Sequence, residues 1–66
     1  MSNAKVIQHK TCNAYTIMHA VGDPKTLGEL EAEGRAFARE RRLGDCIIAA
    51  HRDNIIGDHV HVAAKE

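Results

Sequence analysis

The sequence has no tryptophan, one tyrosine and one phenylalanine, so the large aromatic side chains that dominate core burial are nearly absent and the core must be aliphatic. No window approaches the roughly eighteen apolar residues a membrane-spanning helix needs, and a membrane partner is not read from it. Neither sign of charge prevails, because nine Lys and Arg stand against nine Asp and Glu; a basic nucleic-acid-binding domain normally looks different. The two cysteines, Cys12 and Cys46, allow one disulfide at most. The opening MSNAKVIQHK lacks the apolar stretch of a signal peptide, so the expectation is a reducing, cytoplasmic setting. Glycines occur singly, at 22, 28, 34, 44 and 57, which leaves no glycine-rich loop to cradle a phosphate and no nucleotide site.

What is present fits a single domain. A chain of 66 residues buries only about 60% of the surface its unfolded form exposes, so its stability is marginal and help from a metal, a disulfide or a second copy is worth seeking. Met1 to Ala4 read as a disordered start or a remnant of expression, and residues 5–66 as one small domain. Lys5 to Lys10 is a short strand carrying Val6 and Ile7. Thr11-Cys12-Asn13 is a turn, and Ala14 to Val21 alternates Tyr15, Ile17, His19 and Val21 against Ala14, Thr16, Met18 and Ala20, as a half-buried strand does. Gly22-Asp23-Pro24 ends that strand. Thr26 followed three residues later by Glu29 is a capping box that opens a helix. Leu27, Leu30, Gly34, Phe37 and Ala38 then recur at helical spacing on one face. Gly34 costs about 1 kcal/mol of helix propensity, which is tolerable where a missing side chain lets the helix approach the strands closely. Acidic residues crowd the first half and Arg39, Arg41 and Arg42 the last turns, matching the helix dipole, and Gly44 is the expected C-terminal stop.

After Gly44, Asp45 to His51 reads as a strand, Arg52-Asp53-Asn54-Ile55 as a tight turn, and Ile56 to Ala63 as the return. With Asp53 and Asn54 as the central pair of a type I′ turn, Arg52 faces Ile55, Ala50 faces Gly57, Ile48 faces His59 and Cys46 faces His61. In that register Ile47, Ile56, Val60 and Val62 form the core face. Cys46, Ile48, Ala50, Ile55, His59 and His61 then form an opposite face too apolar to be fully solvated. The expected fold is α+β in the order ββαββ, with one four-stranded sheet and a single helix packed on one face. Strand order is open between a right-handed crossover that makes the second and third strands parallel and an arrangement with the first and last strands as central neighbours.

The stretch TLGELEAEGRAFARERRLGDCIIAAHRDNII, from Thr26 to Ile56, resembles a small bacterial family catalogued as domain of unknown function 2188, whose members join an Ala-rich helix to a strand ending in His-x-Arg-Asp-Gly. The matching residues are His51, Arg52, Asp53 and Asn54, with Asn54 in place of the glycine and no residue between His51 and Arg52. The upstream KVIQHKTCNAYTIMHA is similar to the family's opening hairpin, with Tyr15 at its aromatic position, so the resemblance spans residues 5–62. It implies no activity.

Three chemistries can be read from these residues. Cys46, His59 and His61, on one face of adjacent strands in the register above, supply a thiolate and two imidazoles toward a tetrahedral zinc site, with a fourth ligand from water, Cys12 or a second subunit. Arg35, Arg39, Arg41 and Arg42 gather positive charge at one helix end, where the phosphates of a nucleic acid could be contacted. The apolar face bearing Ile48, Ala50 and Ile55 offers a homodimer or protein interface. Five histidines would carry the chain from zero to a net charge of +5 on full protonation, as surface histidines do on acidification. A Cys-His pair without a pocket does not make an enzyme. The expected function is a non-enzymatic binding module, homodimeric through the sheet face opposite the helix, with nucleic-acid binding and zinc binding as alternatives.

Overall fold

The computed structural model of the chain describes residues 4–9 and 13–65. Its elements run β1 (Lys5–His9), β2 (Ala14–Met18), α1 (Leu27–Glu40), β3 (Cys46–His51) and β4 (His59–Ala64). The four strands form one antiparallel sheet in the order β1-β2-β4-β3. The α+β architecture is the expected one, and of the two arrangements left open it is the first whose orientation is found: β2 and β3 run parallel, each antiparallel to β4, which lies between them, whereas the first and last strands are not central neighbours. The central pair is β2 and β4, so the connection through α1 carries the chain past β4's position to the far edge, and β4 returns antiparallel into the gap. Of the turn at residues 11–13, only Asn13 lies within the described residues.

The helix begins where the capping box places it. The Glu29 amide donates to Thr26 Oγ1 at 3.1 Å and the Thr26 amide donates to Glu29 Oε1 at 2.9 Å, satisfying two of the amides a helix N-terminus leaves unpaired. It ends earlier than Gly44. Arg41 is the C-cap, Arg42 takes the left-handed conformation at φ 56, and the Leu43 amide reaches back to the Ala38 carbonyl at 3.0 Å. These bonds satisfy the terminal carbonyls before glycine is reached. Of the expected apolar stripe, Leu30, Gly34 and Ala38 are buried, Phe37 is partly buried, and Leu27 is 49% exposed.

Helix α1 lies across β3 and β4, and the reason is Gly34. A Cβ there would stand 3.0 Å from Ile48 Cγ2, 3.0 Å from Val60 Cγ2 and 3.3 Å from Val62 Cγ2, so the helix backbone rests directly on three branched side chains. Ile17, Leu30 and Val60 form the centre of the core, with Ala4, Phe37, Ile48 and Ala50 packed around it. Phe37 of α1 meets Tyr15 of β2 edge-on at 5.0 Å, while β1 is exposed along its whole length.

The expected β3–β4 hairpin is corrected. The strands are joined by residues 52–58 instead of a two-residue turn at Asp53-Asn54, and His51 pairs with His59, Ala50 with Val60, Ile48 with Val62 and Cys46 with Ala64. This is a slip of three residues from the expected register. An odd slip exchanges the faces of one strand relative to the other. Val60 and Val62 are core as expected, but their partners are Ile48 and Ala50, and Ile47 and Ile56 are 57% and 55% exposed. The cause is the Asp53 and Asp58 carboxylates. Asp53 Oδ1 accepts from the amides of Ile55 (2.8 Å) and Ile56 (3.1 Å), and Asp58 Oδ1 from the Asp53 amide at 2.8 Å. Asp58 Oδ2 accepts from the Lys25 amide at 2.8 Å, which ties the loop to the approach to α1. Gly57, at φ 107, lies so close to the His19 carbonyl that a Cβ would meet it at 2.1 Å.

Replacing Gly34 by alanine tests the seat of the helix. The gain in helix propensity, about 1 kcal/mol, is outweighed by overpacking against side chains that cannot retreat. The expected result is a net loss of about 1 kcal/mol in chemical denaturation, with Gly34→Val losing more; a stabilised Gly34→Ala variant would refute the close-packed seat.

Candidate functional site: a histidine face and an arginine cleft

Side chains directly opposite one another in an antiparallel pair share a face, so the register assigns every strand residue. Val6, Tyr15, Ile17, Val60, Val62, Ile48, Ala50 and Cys46 lie toward the helix side. The other face carries Lys5, Ile7 and His9 from β1, Ala14, Thr16 and Met18 from β2, His59, His61 and Ala63 from β4, and Ile47, Ala49 and His51 from β3. Four of the five histidines are therefore on the sheet face without a helix, and none of the described strand residues on that face is acidic; the Asp53 carboxyl of the β3–β4 loop, held low mainly by the Ile56 and Ile55 amides, also feels His59.

Three of these histidines pack on one another. Ring centroids are 5.0 Å apart for His59 and His61 and 5.3 Å for both His51–His59 and His51–His61. The ring of His59 is fixed by Nδ1, 2.9 Å from the Gly57 carbonyl oxygen. A carbonyl only accepts, so Nδ1 carries the proton and the lone pair of the neutral ring is on Nε2. His61 Nδ1 lies 2.8 Å from Thr16 Oγ1, and the same hydroxyl is 2.8 Å from His9 Nε2. Thr16 therefore links the two rings, donating to one and accepting from the other. His51 is exposed at the sheet edge, whereas Thr16 is buried and His59 nearly so. Burial lowers the pKa of His61 below its ordinary value, and the neighbouring His59, His51 and His9 lower it further.

The expected metal site is corrected. His59 and His61 do share a face, but Cys46 projects to the other side of the sheet because of the odd slip. Cys12 lies outside the described residues. As the side chains stand, no group of three or more His, Cys, Asp or Glu among the described residues can hold a metal ion. The expected interface residues are corrected for the same reason. Ile48 and Ala50 pack on the core under α1, and only Ile55, 84% exposed in the β3–β4 loop, is outside.

The arginines divide. Arg35, Arg39 and Arg42 line a cleft of about 500 Å³ between the end of α1 and β3, together with Gly44, Asp45, Cys46 and Ile48. Arg35 is held loosely, 3.9 Å from Glu31. Arg41 points elsewhere, with its guanidinium 4.9 Å from the Phe37 ring centre and 5.7 Å from that of Tyr15, where it caps the aromatic pair.

The fifth histidine, His19, is buried, with Nε2 2.6 Å from Glu33 Oε1. Its Nδ1 is buried without a hydrogen-bond partner. Its amide donates to the Asp58 carbonyl at 2.9 Å, so it anchors the loop to the sheet. Asp58 was not singled out from sequence, since its partners Lys25 and Asp53 are distant or in the loop. Backbone donors from those two residues hold its carboxyl below the usual range. His51, His9 and Thr16 were missed as well. The alternation of His59 with His61 was the one local signal, and it needed the loop length to reach His51.

No helix among the described residues is long and apolar enough to cross a membrane. No family model, no curated protein and no solved structure matches the chain.

The depressed His61 pKa carries a signed consequence. The unfolded chain binds that proton more readily than the folded one, so the contribution to stability is whole above the unfolded value of about 6.5 and is lost as pH falls below it. The Asp53 and Asp58 carboxyls, also depressed by amide donors, lose theirs only lower, as pH falls through the carboxylate range. Urea midpoints should therefore fall between pH 7 and about pH 5.5, well before the carboxylates titrate, and the slope should shrink in His61→Gln. An unchanged slope in that variant would assign the effect to another group.

Proposed function

We propose that the protein is a non-enzymatic binding module whose open sheet face takes a second copy of the same chain. The observation that carries this reading is the asymmetry of the sheet. One face is covered by α1 over β3 and β4, while the other presents Ile7, Met18, Ile47, Ala49 and Ala63 among histidines, with no acidic side chain among its described strand residues and Lys5 as their fixed charge. Ile7 and Ile47 are 37% and 57% exposed. A face that is neutral when its histidines are neutral suits a like face better than a charged partner, and two such sheets stack about 10 Å apart in many small proteins. A two-fold axis would make the contact closed and self-complementary. This reading puts the interface on Ile47 and its neighbours instead of Ile48 and Ala50. A cytoplasmic, reducing setting accords with a free Cys46 thiol.

A second reading has one specific observation in its favour. The convergence of Arg35, Arg39 and Arg42 on one cleft forms a small cationic site for phosphates of a nucleic acid, with Arg41 removed from the set. Such binding would weaken steeply with salt.

Sedimentation at micromolar concentration separates these. The expected result at neutral pH is a dimer that Ile47→Lys converts to a monomer, with Ile55→Asp leaving it intact. Acidification that protonates His61, whose pKa burial and its neighbours lower, should weaken the dimer as well. A monomeric wild-type chain would reject the self-association reading. Salt-sensitive retardation of a short oligonucleotide, lost on replacing Arg39 and Arg42 by alanine, would favour the second.

A further inference from the structure

The end of α1 holds an arginine where helices usually have glycine. Arg42 follows the C-cap, and its φ of 56 is the left-handed conformation. The Arg42 amide donates to the Arg39 carbonyl at 3.2 Å and the Leu43 amide to the Ala38 carbonyl at 3.0 Å, the pair of bonds with which a left-handed residue closes a helix. Glycine suits that position because a Cβ there crowds the following carbonyl. A larger residue persists in such a conformation where its surroundings require it, and residues of this kind gather at ligand sites.

Arg42 lines the cleft of about 500 Å³ between α1 and β3, together with Arg35 and Arg39. All three are exposed, and their charge exceeds what the helix end calls for. The negative pole of a helix amounts to about half an elementary charge, which Arg39 in the last turn already meets. Among the described residues Arg39 and Arg42 pair with no carboxylate, and Arg35 reaches Glu31 only at 3.9 Å. The rest of the lining selects among anions. Ala38 and Ile48 supply an apolar wall, and a volume of this size holds a small organic molecule. Asp45, also in the lining, repels a second negative group beside the first and offers an acceptor to a hydroxyl or an amine. An interior phosphodiester of a nucleic-acid strand carries one charge, two substituents and a further phosphate on either side. A phosphomonoester carries about −1.5 to −2 charges at neutral pH, three terminal oxygens and a single substituent, and guanidinium groups hold such oxygens through paired N–H donors.

We propose that the cleft between α1 and β3 binds a small organic phosphomonoester, with Arg35, Arg39 and Arg42 on the phosphate and the organic group along Ala38 and Ile48. The site is that of the second reading above and rests on its phosphate chemistry, with a terminal phosphate in place of a strand. Self-association through the opposite sheet face is independent of it.

The test is calorimetric titration of the full chain, at neutral pH and physiological salt, with phenyl phosphate, with phenyl methyl phosphate and with a short oligonucleotide lacking terminal phosphates. The expected result is one saturable phenyl phosphate site per chain, with the diester at least about tenfold weaker. Arg39→Gln and Arg42→Gly should each weaken phenyl phosphate at least about tenfold. Arg41→Gln, which removes a charge lying over the Phe37 and Tyr15 rings, should leave its affinity within a factor of about two. Because glycine suits the left-handed position, the urea midpoint of Arg42→Gly should stay level or rise while its affinity falls. A midpoint that falls together with the affinity would return Arg42 to a helix-end role and overturn its place in the site. Arg39-dependent binding of the oligonucleotide without binding of phenyl phosphate would overturn the monoester and leave the second reading standing; the reverse pattern would support the monoester and reject the strand. Absence of saturable binding at millimolar phenyl phosphate, equal affinity for monoester and diester, or affinity unchanged in Arg42→Gly would each overturn the assignment.

Discussion

The rest of the molecule depends on the contact between the Gly34 backbone and the methyl groups of Ile48, Val60 and Val62. A helix can approach a sheet this closely only where its own side chain is absent and the three groups beneath it share a face. That condition restricts β3 against β4 to registers differing by an even number of residues, since an odd slip would lift Ile48 out of the seat. Once Ile48, Val60 and Val62 are beneath the helix, alternation places Ile47, Ala49 and His51 with His59 and His61 on the far side. The concentration of histidines there follows from core packing.

The β3–β4 loop fixes which of the permitted registers is used. A seven-residue connection carries amides that strands no longer satisfy, and two carboxylates take them up, with Asp53 serving Ile55 and Ile56, and Asp58 serving Asp53 and Lys25. Asp58 is buried, yet it is stable as an anion because backbone donors surround it. Through Lys25 it also positions the entry to α1, and the neighbouring Gly57 presses on His19. One short segment thereby holds the sheet register, the start of the helix and the end of β2 together.

The parts legible in the sequence were those whose causes are local. The capping box at Thr26 and Glu29, the apolar spacing of Leu30, Gly34 and Ala38, and the placement of Val60 and Val62 in the core all rest on neighbours within a few residues. Cys46-Ile47-Ile48-Ala49-Ala50 is apolar on both faces, so alternation gave β3 no preferred orientation. The decision fell to the turn, where Asp53-Asn54 satisfied the local chemistry of a tight hairpin. The information against that hairpin is the bond from Asp58 to Lys25, 33 residues away in sequence. The same slip explains the mixed outcome at the candidate site. His59 and His61 share one strand and kept their common face under any register, whereas Cys46, on the other strand, was exchanged for His51. The arginine set separated for a similar reason: Arg41 lies round the helix from Arg35, Arg39 and Arg42, where Tyr15 and Phe37 supply a ring surface.

The open face sets two occupants against each other. Protons and a second copy of the chain would both address the imidazoles of one surface. A proton on His61 is opposed by burial and by the neighbouring His59, His51 and His9, so the ring favours the neutral form that suits the approach of a like face. A carboxylate on a neighbouring strand would stabilise the His61 imidazolium and raise its pKa, so the lack of an acidic side chain among the described strand residues of this face leaves His61 with the depressed pKa that burial and the adjoining imidazoles impose.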